Sequence, residues 1–193
     1  MIFFTNCAKP PVDKVDALKT KFQDYDGKGA KVFAQAEFDM ISQQMTELQQ
    51  LMDKKDYKGA TVLADSLLAK MEPLQSIIES NGKNYTQQAI SIANEELGKL
   101  NNMLKSKDIK VLGDAVVKKY QAQSKEFGDK ISALQNEINS AQYLKAYEDA
   151  KTIGNDITMS VQDISKQLDK SKEAKVKSAP KKTTKPVTAK PKK

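Results

Sequence analysis

The chain has 193 residues, 39% hydrophobic and 30% charged, with a mean hydropathy of −0.61. That is long enough for a real hydrophobic core, and the sequence contains no 18-residue apolar run of the kind that spans a membrane. It holds no His, Arg or Trp and one Cys, which excludes His-dependent triads, His or Cys zinc sites, arginine fingers and an intramolecular disulfide. The net charge of +7 is unevenly placed: residues 1–169 carry 22 Lys against 24 Asp and Glu, whereas residues 170–193 carry ten Lys against Glu173 alone. A near-neutral body with a cationic tail is expected.

Residues 1–11 read MIFFTNCAKPP. The run up to Cys7 resembles the end of a secretory signal and lipobox, in which the cysteine thiol becomes thioether-linked to diacylglycerol. That resemblance implies Cys7 as a lipidation site and a membrane as partner. Phe4 and Asn6 depart from the usual residues, and only six residues precede Cys7, short of a full charged and apolar leader. The competing reading is a free thiol at the N-terminus of a cytoplasmic protein.

A first helix is expected from about Val12 to Tyr25, ended by Asp26-Gly27-Lys28-Gly29. A second, over residues 30–54, places Phe33, Ala36, Met40, Ile41, Met45, Leu48, Leu51 and Met52 on one face. Lys54-Lys55-Asp56 forms a tight link in which Asp56 caps the next helix. That helix, over residues 56–80, carries Tyr57, Ala60, Ala64, Leu67, Met71, Leu74 and Ile78 at alternating spacings of three and four, a continuous apolar stripe. Pro73 lies inside it and predicts a kink near residues 69–73. Asn81-Gly82 marks a further turn, after which Ile90, Ala93, Leu97, Leu100 and Leu104 resume the same spacing to about Lys105.

The last two helices align with the earlier pair at an offset of 90 residues, Tyr57 on Tyr147 and Ala60 on Ala150. This predicts a duplicated antiparallel helical hairpin. The fold expected is all-α, with repeats over residues 12–80 and 84–170 and a basic tail over 171–193, disordered after about residue 172.

Phe33-Ala34, Glu37-Phe38, the Lys55-Asp56-Tyr57 link and Ala60, Leu63, Ala64 and Leu67 together resemble a family of bacterial cell-envelope lipoproteins with a helical domain of unknown function. The resemblance spans about 50 residues and reaches about 160 through the repeat. It implies an envelope location facing the periplasm and brings no catalytic residue.

Other clusters point to packing or solvation. Glu95-Glu96 and Glu148-Asp149 lie beside lysines on helices, and Asp24-x-Asp26-Gly27 lacks the glutamate a calcium loop needs, Gln35 standing in its place. No enzyme, metal or cofactor is expected. The tail lysines Lys175, Lys177, Lys181, Lys182, Lys185, Lys190, Lys192 and Lys193 are the candidate polyanion-binding residues, directed at cell-wall polymer or lipid headgroups. Lysine without arginine offers point charges rather than base readout. A homo-oligomer is a further expectation. Two alternatives remain: a cytoplasmic protein binding nucleic acid through its histone-like tail, and a phasin-like granule coat.

Overall fold

The structure, a computed structural model, describes residues 9–178. Seven α-helices and one 3-10 helix follow in order: α1 (Val12–Gly27), α2 (Ala30–Phe33), α3 (Gln35–Asp53), α4 (Tyr57–Met71), α5 (Leu74–Lys105), the 3-10 helix (Lys107–Leu112), α6 (Asp114–Asn139) and α7 (Tyr143–Ser178). Among the described residues there is no strand. The all-α expectation holds.

The helices build two three-helix bundles joined through α5. In the first, Val15, Leu18 and Tyr25 of α1, Phe38, Ile41 and Leu48 of α3, and Ala60, Ala64, Leu67 and Met71 of α4 form one buried cluster that takes in Leu74 and Ile78 of α5. In the second, Ala93 and Leu100 of α5 pack with Tyr120, Ile131 and Leu134 of α6 and Ala150, Ile157 and Ile164 of α7. Each fully buried Leu or Ile contributes about 1.5–3 kcal/mol. Tyr143 and Tyr147 touch both clusters, and Phe33 meets the Tyr147 ring edge-on at 5.8 Å. The two cores are thus mechanically connected.

Several local expectations hold. Asp56 caps α4, its carboxylate accepting from the Gly59 N–H at 2.9 Å. Gly29 adopts φ +90° between α1 and α2, a conformation that favours glycine. At Pro73 the helical hydrogen-bond ladder is interrupted, because Pro73 has no N–H to offer the carbonyl of Ala69. Helix α4 ends at Met71 and α5 starts at Leu74, with Glu72 and Pro73 keeping right-handed helical dihedrals between them.

Four expectations are corrected. The helix over residues 30–54 is interrupted at Ala34, whose φ is −143°. The break resets the helical phase, so Ala34, Phe38, Ile41 and Leu48 face the core while Ala36 and Met40 are exposed. Phe38 stacks on Phe22 with ring centroids 4.3 Å apart.

Asn81-Gly82 is no turn but the interior of α5. A mid-helix glycine costs about 1 kcal/mol, offset here by tertiary contacts. Gly82 is buried, and a Cβ there would lie 2.9 Å from Tyr143 Cβ. The Asn81 side-chain amide donates to the Phe33 carbonyl at 2.7 Å. Thr86, fully buried, shares its hydroxyl proton between the carbonyls of Gly82 (2.7 Å) and Tyr143 (3.1 Å).

The repeat register is one helical turn away from the offset of 90. At the α3–α4 link, Lys54, Lys55 and Asp56 donate to the carbonyls of Gln50, Met52 and Leu51; at the α6–α7 link, Ser140, Ala141 and Gln142 donate to Asn136, Ile138 and Glu137. Lys55 and Ala141 both have positive φ, 61° and 57°. These matched turns define an offset of 86, which pairs Tyr57 with Tyr143, Ala60 with Ala146 and Ala64 with Ala150. All four alanines are fully buried. Shifting by four residues keeps the apolar stripe in phase, which is why both offsets fit the pattern.

Finally, α7 continues to Ser178, past the expected onset of disorder at about residue 172. The remainder of the tail lies outside the described residues.

Candidate functional site

Cys7 and the tail lysines Lys181, Lys182, Lys185, Lys190, Lys192 and Lys193 lie outside the described residues. Lys175 and Lys177 lie on the last turns of α7, where side chains are not described. The helices do fix where the chain enters and leaves the body.

Helix α1 runs parallel to α4: Lys14 pairs with Asp65 at 2.6 Å, Lys21 with Glu72 at 2.9 Å, and Tyr25 Oη donates to the Met71 carbonyl at 3.1 Å. The start of α1 therefore sits beside the middle of α4. Helix α7 runs parallel to α5: Tyr143 lies against Gly82 and Thr86, Gly154 against Ala93, and Lys172 within 3.6 Å of Asp108. The end of α7 therefore reaches the 3-10 helix beyond α5. Along the α4–α5 axis these are opposite poles. At 1.5 Å per residue, α5 alone separates them by about 48 Å.

At the C-terminal pole, Tyr120 of α6 donates a hydrogen bond to Asp163 of α7, and the Gln167 amide donates to both Tyr120 Oη (3.1 Å) and Asp163 (3.2 Å). Burial, then the hydrogen bond to Asp163 and its charge, push the Tyr120 hydroxyl up to about 12. The hydrogen bonds from Tyr120 and Gln167, aided by Lys119 and Lys166, hold Asp163 below the ordinary carboxylate value. This is a clamp between α6 and α7. A tyrosine with a raised value is a poorer proton donor and acquires no nucleophilic character here.

A groove of about 500 Å³ opens between α5 and α7, walled by Tyr85, Ile92 and Tyr147 above a floor of Ala89, Ala150 and Gly154. The small floor residues let the two helices approach closely, and the rim is polar at Gln88, Lys151 and Asn155. Glu96 and Thr158 also line it; Glu96 pairs with Lys99 at 2.7 Å and the Thr158 hydroxyl donates to the Gly154 carbonyl at 2.9 Å.

Of the carboxylates considered in the sequence, all but Glu148 form ion pairs among the described residues. Asp24 and Asp26 pair with Lys28 (2.7 Å) and Lys31 (2.8 Å), Glu95 and Glu96 with Lys99 (3.1 and 2.7 Å), and Asp149 with Lys145 (2.9 Å). Among the described residues no group of three or more His, Cys, Asp or Glu side chains could hold a metal ion, and no helix is long and apolar enough to cross a membrane.

The sequence reading missed the lysines around the 3-10 helix. The Lys105-x-Lys107-x-x-Lys110 spacing was visible, but only the fold brings Lys107 and Lys110 to one hollow with Lys172, some 60 residues later. Comparison with family models, curated proteins and solved structures finds no match to this chain.

Proposed function

We propose that the chain is a non-enzymatic helical spacer of the bacterial cell envelope, held at a membrane through lipidated Cys7 and reaching an anionic polymer with its polycationic C-terminus. The observation that carries this reading is the placement of the start of α1 and the end of α7 at opposite poles. A diacylglycerol thioether brings two acyl chains, enough for stable attachment without help from the tail. The tail is then free for a second surface, and the two bundles joined through α5 hold the surfaces apart. The sequence resemblance of Phe33-Ala34, Glu37-Phe38 and the Lys55-Asp56-Tyr57 link to envelope lipoproteins is what supports the location.

The test is the intact mass of the protein expressed in its own bacterium. A diacylglycerol adduct on Cys7 is expected, with Cys7→Ser moving the protein from the membrane to the soluble fraction. An unmodified Cys7 overturns the reading. Steeply salt-dependent DNA binding, lost on deleting residues 170–193 and without membrane partition, would select the nucleic-acid alternative instead.

A further inference from the structure

Asn81-Gly82 is the chain's one Asn-Gly step, and the fold sets it in the contact between the two bundles. The Asn81 amide donates to the Phe33 carbonyl at 2.7 Å. The Phe33 ring meets those of Tyr85 and Tyr147 edge-on, and Gly82 lies against Tyr143. Tyr143 and Tyr147 pack on both cores. The packing dictates the pair: the close approach of Tyr143 requires glycine at 82, and the Phe33 carbonyl takes a short amide donor at 81.

Asn-Gly is also the dipeptide in which a chain most readily reacts with itself, because the following residue has no Cβ to keep its nitrogen away. The Gly82 nitrogen attacks the Asn81 side-chain carbonyl carbon and closes a five-membered succinimide. The side-chain nitrogen leaves with the displaced proton as ammonia. Water then opens the ring at either carbonyl, leaving an aspartyl residue or an isoaspartyl one, in which the main chain runs through the side-chain carbon. In intact α5 the attack is blocked. Helical dihedrals hold the Gly82 nitrogen out of line with the Asn81 side-chain carbonyl, its N–H is committed to the carbonyl of Ile78, and the bond to Phe33 fixes the amide against α2.

We propose that Asn81 is a self-modification site gated by the contact between the bundles: it deamidates when α5 parts from α2 and α7, and its products oppose closure. An isoaspartyl residue adds a methylene to the main chain and breaks the hydrogen-bond ladder inside the helix that both bundles share. An aspartyl carboxylate sets an acceptor against the Phe33 carbonyl and leaves both without a proton between them. The conversion runs one way and so records opening. It is independent of what Cys7 or the tail binds.

The test incubates the full chain in mildly alkaline buffer and follows conversion at Asn81, and at the exposed Asn139-Ser140 step as an internal clock, by peptide mapping and mass spectrometry. Asn81 is expected to convert about a hundredfold or more slowly in native buffer than in concentrated urea, since it waits for local opening. Phe33→Leu loosens the contact without touching the dipeptide. Tyr85→Ala removes only the 39% exposed partner of the Phe33 ring, with less risk to the core. Each should speed Asn81 by about tenfold and leave Asn139 unchanged. Asn81→Gln, whose ring closure would be six-membered, should stay unconverted at position 81. The isoaspartyl form, separated from its parent, should unfold at a lower denaturant concentration. Equal Asn81 rates in native buffer and urea, an unaltered Asn81 rate in both variants, equal acceleration of Asn139 in Tyr85→Ala, or an isoaspartyl form as stable as its parent overturns the proposal.

Discussion

Two glycines of α5 behave oppositely because of what faces them. A Cβ at Gly82 meets Tyr143 Cβ at 2.9 Å, an atom tied to backbone that cannot swing away, whereas a Cβ at Gly98 meets nothing within 4 Å. Gly98→Ala should therefore stabilise by roughly 0.5–1 kcal/mol through helix propensity. Gly82→Ala should destabilise by about 1–3 kcal/mol as the α5–α7 crossing is forced apart. Denaturant titration of both variants checks the pair, and a stabilised Gly82→Ala would contradict the close approach. Tyr120 supplies a pH signature. Its neutral hydroxyl is favoured by folding, so the contribution is whole below the ordinary value of 10 and is lost as pH rises toward about 12. A tyrosinate absorbance step near pH 12 is expected, and Tyr120→Phe should remove it. Asp163 acts in the opposite window, its contribution being lost as pH falls below the ordinary carboxylate value.

At the scale of elements, the equivalent turns after α3 and α6 invite a paired test. Lys55 and Ala141 occupy positive φ, where a side chain is strained. Lys55→Gly and Ala141→Gly should each stabilise by about 0.5–1 kcal/mol in thermal or denaturant unfolding. A gain at one turn only would contradict their equivalence. These turns also mark how far the elements were legible. Spacing of Ala60, Ala64, Leu67 and Met71 announced α4, Asp56 its start and Pro73 a kink within a longer helix, because periodicity, capping and a missing N–H are local physics. Asn81-Gly82 misled because its role is tertiary: glycine there admits Tyr143, and asparagine serves the Phe33 carbonyl 48 residues away. Ala34 misled for a similar reason, its break being set by packing of α2 against α5 rather than by a local breaker. The offset of 86 was hidden because a shift of one helical turn preserves the stripe and only backbone hydrogen bonds of the turns distinguish it.

At the scale of the molecule, the candidate site was half legible. The tail's charge stood in the composition, while the hollow that joins Lys107 and Lys110 to Lys172 arises from residues distant in sequence that the fold brings together. The account turns on the body holding its two ends apart. In a Cys7→Ser background, spin labels at Lys14→Cys and Lys110→Cys report that separation by pulsed dipolar spectroscopy. Lys14 lies beside Asp65, and Lys110 lies just past the end of α5. Even a right-angled joint at Pro73 then leaves about 50 Å by helical rise. A single narrow distribution centred beyond about 45 Å is predicted; a distance below about 30 Å, or a broad distribution spanning both, would contradict a body that keeps the two poles apart.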